Sequence, residues 1–350
     1  MSAKTESRGL VRRLFEAPSL EEMAPAPKIA TYVVLGLWTL VVLFPLYWVL
    51  VTSFKFEVEV DSGPYYIPFV DFKPTLDAWN FMLLQNNTIG PYLNSVVVAL
   101  SSTVLALLIG SLAAYALVRI RFQVKIAAIL TFLALLVAVI VAVAAFAVPW
   151  PVAAAVAIAL FLIALSTYVR RFKAAAGNND IEFWMISNRI MPPIVAVLPI
   201  YVMFQHLRLL DTQIALISTY TGVNLPIVVW LTRDFFAGIP LDLEESAEID
   251  GASKFRVFFT IALPLVRSGI AATFMLVLIL SWNEFLLALF LTEAKAQTMP
   301  VLVAAQNTTR GPQWWYMSVL IVIMIAPVIV IAAFLQKHIA RGLLVGAVKG

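Results

Sequence analysis

Residues 126–148 read IAAILTFLALLVAVIVAVAAFAV, with no charged side chain and a single hydroxyl, that of Thr131. A helix needs about 20 consecutive apolar residues to cross a bilayer. In lipid the backbone N–H and C=O groups must be satisfied within the protein, so a stretch of this kind is helical. The chain then turns at Pro149-Trp150-Pro151 and returns through a second apolar run, 151–169. A tryptophan between two prolines fits a tight turn at the membrane–water interface. This hairpin sets the fold class: an all-α integral membrane protein.

The rest of the chain agrees. Of its 350 residues, 62% are hydrophobic and 13% charged, against about 25% charged in a soluble domain. Eight stretches are long and apolar enough to span, near 30–53, 90–118, 126–148, 151–169, 183–206, 213–236, 265–290 and 314–336. The 54–89 segment is too polar and belongs on the outer face. There is no cysteine, which excludes disulfides, thiolate metal sites and cysteine nucleophiles. The two histidines, His206 and His338, are far apart, so no zinc-binding pair shares a helix face. The net charge of +4 points to cytoplasmic loops rather than a nucleic-acid partner.

Lys and Arg set the direction. With the N-terminus inside, the inner segments hold Arg8, Arg12, Arg13, Lys28, Arg119, Arg121, Lys125, Arg170, Arg171, Lys173, Lys254, Arg256, Arg267, Lys337 and Arg341 among others. The outer segments hold only Lys55, Lys73, Arg208, Lys295 and Arg310. The positive-inside rule selects this orientation, with both ends cytoplasmic. Residues 1–28 then read as a cytoplasmic tail rather than a cleavable signal, because the first long apolar run is too long for one. Residues 29–350 form the transmembrane domain. The 126–169 hairpin is basic at both ends and carries no polar group suited to a solute. It reads as a lipid-facing insertion that leaves the orientation downstream unchanged.

One inner loop, 238–264, differs from the others. Its first part, Gly238 to Arg256, reads GIPLDLEESAEIDGASKFR and continues VFFTIALP to Pro264. Pro240 suits a first helical turn, and Asp242, Glu244 and Glu245 suit the positive end of a helix dipole. Gly251 sits where a left-handed C-cap is needed, Ser253 suits the N-cap of a second helix, and Pro264 opens the seventh span. Leu243, Ser246, Ala247 and Asp250 share one face, flanked by Glu244 and Glu248. Two readings are open: a helix docking into a partner's groove, or an amphipathic helix lying on lipid. The acids argue against the second, because anionic headgroups repel them.

The run Glu245-Ser246-Ala247, then Gly251 four residues on, then Ile261-Ala262-Leu263-Pro264, resembles the EAA signature of ABC importer permeases. The departure is Ser246, a small residue where the family has alanine. Phe44-Pro45-Leu46-Tyr47, Ser53-Phe54-Lys55, Asn94-Ser95, Ala113-Ala114-Tyr115-Ala116, Pro192-Pro193, Leu209-Leu210-Asp211-Thr212, Asn224-Leu225-Pro226, Ser281-Trp282-Asn283-Glu284-Phe285 and the tail from Arg341 extend the likeness. They resemble the carbohydrate-uptake, maltose permease-like branch. The resemblance implies a type I importer fold, a six-helix permease core to which the extra hairpin is added. It implies that Glu245, Ser246, Ala247, Asp250, Gly251, Ile261, Leu263 and Pro264 belong to the loop that couples to an ATPase. It also implies a bacterial inner-membrane location, a second permease subunit, two ATPase copies and an extracytoplasmic solute-binding protein.

Polar residues within spans are costly and face a cavity or another helix. Asn188, Arg189, Asn224, Trp282, Asn283 and Glu284 are the candidates for a solute path. Asn224 also suits a bond to a neighbouring helix, Arg189 could snorkel to the cytoplasm, and Glu284 could pair across a subunit interface. Trp314, Trp315 and Tyr316 suit an interfacial belt. The sequence has no G-x-x-x-x-G-K-[ST] loop, so ATP and magnesium are expected on a separate chain and no cofactor on this one. The alternative is an ion-coupled secondary transporter, which needs ionisable groups near the midplane. Glu284 is the main one, and no internal repeat is evident. A membrane enzyme needs convergent acids, histidines or an activated nucleophile, and none is visible.

Overall fold

The computed structural model describes residues 15, 24–190, 192–309 and 311–347, with side chains omitted at 144, 189–190 and 335–347. Of the expected 1–28 tail only Phe15 and residues 24–28 are described, and 25–28 already belong to the first helix, Pro25–Thr52, rather than to a tail. The chain forms two compact units, Met1–Ile89 with Leu302–Ala326, and Gly90–Val301 with Pro327–Gly350.

In the first unit, α1 (Pro25–Thr52) opens on a proline in its first turn, where the missing N–H costs nothing. Residues 27–47 are exposed throughout, as expected where lipid is the solvent. The polar segment after α1 folds back on its end through Lys55, which is 2% exposed. Its Nζ donates to Tyr65 O at 2.6 Å and lies over the Trp48 ring at 4.3 Å. Burial pulls the Lys55 pKa down, while Glu59 and Asp71 oppose that shift. Trp315 is buried and Tyr316 stacks on Phe81 at 4.6 Å, so these two pack inside the unit rather than form the expected belt. Trp314 stays exposed.

In the second unit, α2 (Ile89–Arg119) leads into the hairpin α3 (Ile126–Phe146) and α4 (Trp150–Ser166). Ala147 leaves α3 in the left-handed conformation, and Pro149 and Pro151 start α4. Strands β1 (Val124–Lys125) and β2 (Ala175–Ala176) pair antiparallel and close the hairpin's foot. Next come α5 (Asn178–Ile190), α6 (Pro193–Leu207) and α7 (Gln213–Ala237). The loop helices are α8 (Leu241–Ile249) and α9 (Lys254–Leu265), and α10 (Arg267–Trp282), α11 (Leu286–Leu291) and α12 (Trp314–Ala347) complete the chain.

Among the described residues six helices are each long and apolar enough to span, and counting two bent pairs as spans gives the expected eight. The fifth and seventh spans are nevertheless not the continuous helices expected over 183–206 and 265–290. α5 and α6 meet at 88°, next to Pro192-Pro193, which lack N–H donors and disfavour helix in the residue before them. α9 and α10 meet at 82°, so Pro264 lies just before the bend rather than at the start of the span. The helix then stops at Trp282 and resumes at Leu286. Elsewhere helices approach closely through glycine: a Cβ on Gly110 of α2 would lie 2.5 Å from Val228 Cγ1 on α7.

Candidate functional site: the coupling loop and a polar cavity

α8 hangs from the end of α2 and α7 by one buried carboxylate. Glu244 is 4% exposed. It accepts from Tyr115 Oη at 2.6 Å and from Arg119 Nε and Nη2 at 2.9 and 2.7 Å. Arg119 Nη2 also donates to Phe236 O and Ile239 O, at 3.2 and 2.9 Å, satisfying carbonyls near the end of α7. Below this network Tyr115, Phe236, Phe258, Ala262 and Val266 form an apolar cluster. The I-A-L-P run therefore packs the loop onto the helix ends through Ala262, with Ile261 and Leu263 half-buried and Pro264 exposed. Sequence reading placed Glu244 beside the docking face, whereas the structure turns it inward as the anchor. The signal was present: Tyr115 and Arg119 are four apart, hence on one face, at the end of an apolar span.

The other side of the loop is free. Glu245, Ser246, Asp250 and Gly251 are exposed and Ala247 is half-buried. Ile249 is 86% and Phe255 69% exposed, two apolar side chains that sequence reading did not select. Gly251 has φ +85°, as its C-cap position demands, and no atom lies within 4 Å of where its Cβ would be. Gly251 N donates to Glu248 O at 3.0 Å and Ala252 N to Ala247 O at 3.0 Å, closing α8. Pro240 is the N-cap of α8 rather than its first residue, and Ser253 caps α9 by accepting from Arg256 N at 3.3 Å. Lys254 pairs with Glu248 across the turn.

A cavity of about 480 Å³ opens between α5, α6, α7, α10 and α11. Asn188, Tyr220, Asn224 and Glu284 are its polar lining, with Pro192, Pro193 and Pro226 among the walls. Asn224 Nδ2 donates to Ser281 Oγ at 3.0 Å and ties α7 to α10. Glu284 caps α11, accepting from Leu287 N at 3.0 Å and Ala288 N at 3.2 Å. The cavity thus gathers Asn188, Asn224 and Glu284 and adds Tyr220, one turn before Asn224. Trp282 and Asn283 do not line it. Trp282 is 6% exposed with Tyr92 edge-on at 6.2 Å, so its ring has no open face for a sugar. Asn283 is exposed and donates to Ile279 O at 2.9 Å. The Arg189 side chain lies outside the described residues.

At the far end of α7 a second carboxylate organises a loop. Asp211, at φ +57°, accepts from the backbone N–H groups of Glu293, Ala294, Lys295 and Ala296, at distances from 2.9 to 3.3 Å. Asn94 Nδ2 donates to Lys295 O and Gln297 O, and Ser95 Oγ accepts from Met299 N at 2.7 Å. Partial burial pushes the Asp211 pKa up, but the four backbone donors outweigh it and hold the carboxyl below its ordinary value.

The chain is 31% identical over 320 residues to a probable ABC transporter permease protein, y4oR, of Sinorhizobium fredii, covering 89% of this chain and 95% of that protein. The chain belongs to the ABC transporter permeases. The family model described as a binding-protein-dependent transport system inner membrane component matches residues 181–345 of the permease, which hold the 238–264 loop and the cavity. The permease is also 30% identical to the sulfoquinovosyl glycerol transport system permease protein SmoH of Agrobacterium fabrum, over 88% of this chain and 89% of that one. Its fold matches a solved bacterial ABC transporter involved in import of the acidic polysaccharide alginate, with TM-score 0.57 and 20% identity. That match covers 89% of this chain and 96% of the other. The permease is accordingly a multi-pass inner-membrane protein, and nothing here favours ion-coupled secondary transport.

Proposed function

We propose that the permease is one membrane subunit of an ATP-driven importer for a sugar or polyol-like solute. It pairs with a second permease, draws on two copies of a separate ATPase subunit, and receives solute from an extracytoplasmic binding protein. Both termini face the cytoplasm. The observation that carries this reading is the two-sidedness of α8. One side is locked to α2 and α7 through Glu244. The other presents Glu245 and Ile249, with Phe255 exposed nearby on α9, to whatever docks there. An apolar face flanked by acids suits a protein groove better than a lipid surface.

In this reading movement of α8 pulls on Arg119, which bonds Phe236 O at the end of α7 and Ile239 O just beyond it. α7 carries Tyr220 and Asn224 into the cavity. Rigid helices and buried polar links of this kind pass a displacement along with little slack. The cavity mixes amide, phenol and carboxylate groups with apolar walls, a lining that suits a hydroxylated solute. The relative SmoH is named for a sulfoquinovosyl glycerol transport system.

The test is uptake of labelled mono- and disaccharides into cells carrying the complete system. Uptake should stop when ATP is depleted with the proton and sodium gradients held intact. Uptake that continues on a gradient alone would overturn the proposal.

A further inference from the structure

The foot of the α3–α4 hairpin holds basic residues that neither the coupling loop nor the cavity uses. β1 and β2 pair with Lys125 opposite Ala175 and Val124 opposite Ala176. This pairing draws together Arg121 and Lys125 on one arm and Arg170, Arg171 and Lys173 on the other. Asn178 fixes the foot to the end of α2, donating to Leu117 O and Ile120 O and accepting from Phe122 N. Arg121, Arg170, Arg171 and Lys173 are exposed and Lys125 is half-buried. Among the described residues none of the five forms an ion pair. The nearest acids in sequence are already engaged. Asp180 accepts from Gly177 N at 2.8 Å, and Glu182 pairs with Arg233 at 2.5 Å.

Aromatic residues mark the depth of this foot. Tyr168 and Phe172 meet edge to face at 6.2 Å, and the Tyr168 hydroxyl bonds to Thr131. Phe122, on the other arm before β1, is exposed. Such rings sit at headgroup level. Above the foot, toward the hairpin tip, the walls are exposed aliphatic residues such as Ile129, Leu130, Leu162 and Ile163.

We propose that this foot binds the phosphate headgroup of an anionic phospholipid, whose acyl chains lie along α3 and α4. Unpaired guanidinium and ammonium groups next to a bilayer attract such headgroups, and arginine grips phosphate oxygens in pairs. The site is two residues from Arg119, so it sits beside the anchor of the coupling loop.

The test uses the full chain in neutral detergent, titrated with dioleoylphosphatidylglycerol or dioleoylphosphatidylcholine and read by native mass spectrometry. Wild type should retain the anionic lipid with a preference of roughly tenfold or more. R121Q/K125Q/R170Q/R171Q/K173Q should lose that preference, and R170Q/R171Q, on an exposed turn, should lose part of it. K73Q/R208Q/K295Q, which removes exposed charges elsewhere, should keep it. Equal retention of both lipids by wild type overturns the proposal. So does full preference in the five-site variant when it melts like wild type. If that variant does not fold, R170Q/R171Q decides: undiminished preference overturns the proposal.

Discussion

The 238–264 loop and the 126–169 hairpin both adjoin the end of α2, and they differ in how they are attached. Arg119 ends α2 and grips the loop through Glu244; Arg121 and Lys125 follow and start the hairpin. The loop is tied by a buried carboxylate, a phenol and a guanidinium to carbonyls of a third element. The hairpin's helices pack on each other and on the short strands and turn at their foot. In an apolar chain a buried polar link is expensive unless fully paired. Where such links accumulate, the fold holds two elements in fixed relation, and where none exists an element is attached only by its ends. The first arrangement suits transmission of force and the second suits contact with lipid.

The sharpest way to break this comparison is Glu244→Ala. It leaves Arg119 and Tyr115 buried without their partner, which costs about 3–5 kcal/mol. Denaturation in detergent should show the loss, and transport should fail. Arg119→Ala combined with Glu244→Ala should regain part of the stability but not the transport. A single variant with unchanged stability would mean that the loop is not held by this link.

Gly251→Asp acts on the free side instead. No neighbour lies within 4 Å of the new Cβ, so the variant meets only backbone strain at φ +85° and a new charge. That strain is of the order of 1–2 kcal/mol. Stability should fall slightly, while coupling of ATP hydrolysis to uptake should collapse. Normal uptake with normal ATPase stimulation would show that nothing docks at the turn.

Asp211 is the corresponding tether at the other end of α7, and it should respond to pH. Its folded pKa is depressed, so its stabilisation is complete above the unfolded value of about 3.9 and is lost as pH falls through the folded one. Asp211→Asn should therefore be less stable than wild type at neutral pH, with the gap closing below about pH 4. Melting curves against pH check this; a gap that stays constant contradicts it. The smallest effect belongs to the hairpin. Replacing 126–169 with a short glycine–serine linker should leave the melting of the remaining core and its partner binding nearly unchanged. A collapse of either would show that the hairpin is part of the core.

Much of this was legible in the sequence because apolar runs and turn chemistry are local signals. Gly251 and Ser253 were readable as caps because the left-handed turn and the side-chain acceptor select their residue types. The breaks in the fifth and seventh spans were harder, because hydropathy does not distinguish a straight span from one interrupted beside Pro192-Pro193 or after Trp282. Glu244 was misread as a surface acid, since its partners, Tyr115 and Arg119, lie far away along the chain. Trp282 was a candidate for the solute path from its polar neighbours, but its ring is buried against Tyr92 and does not line the cavity. Ile249 and Phe255 were overlooked because apolar residues in an apolar chain draw no attention until the structure leaves them exposed.

The central claim is that this chain is a permease whose loop docks on a separate ATPase. Purifying the tagged full chain in mild detergent and identifying its companions by mass spectrometry tests that most directly. The account predicts one ATPase and one second permease, with the ATPase lost or loosened in Gly251→Asp. Recovery of the chain alone, or only as a homo-oligomer, with no ATPase even after crosslinking, would contradict it.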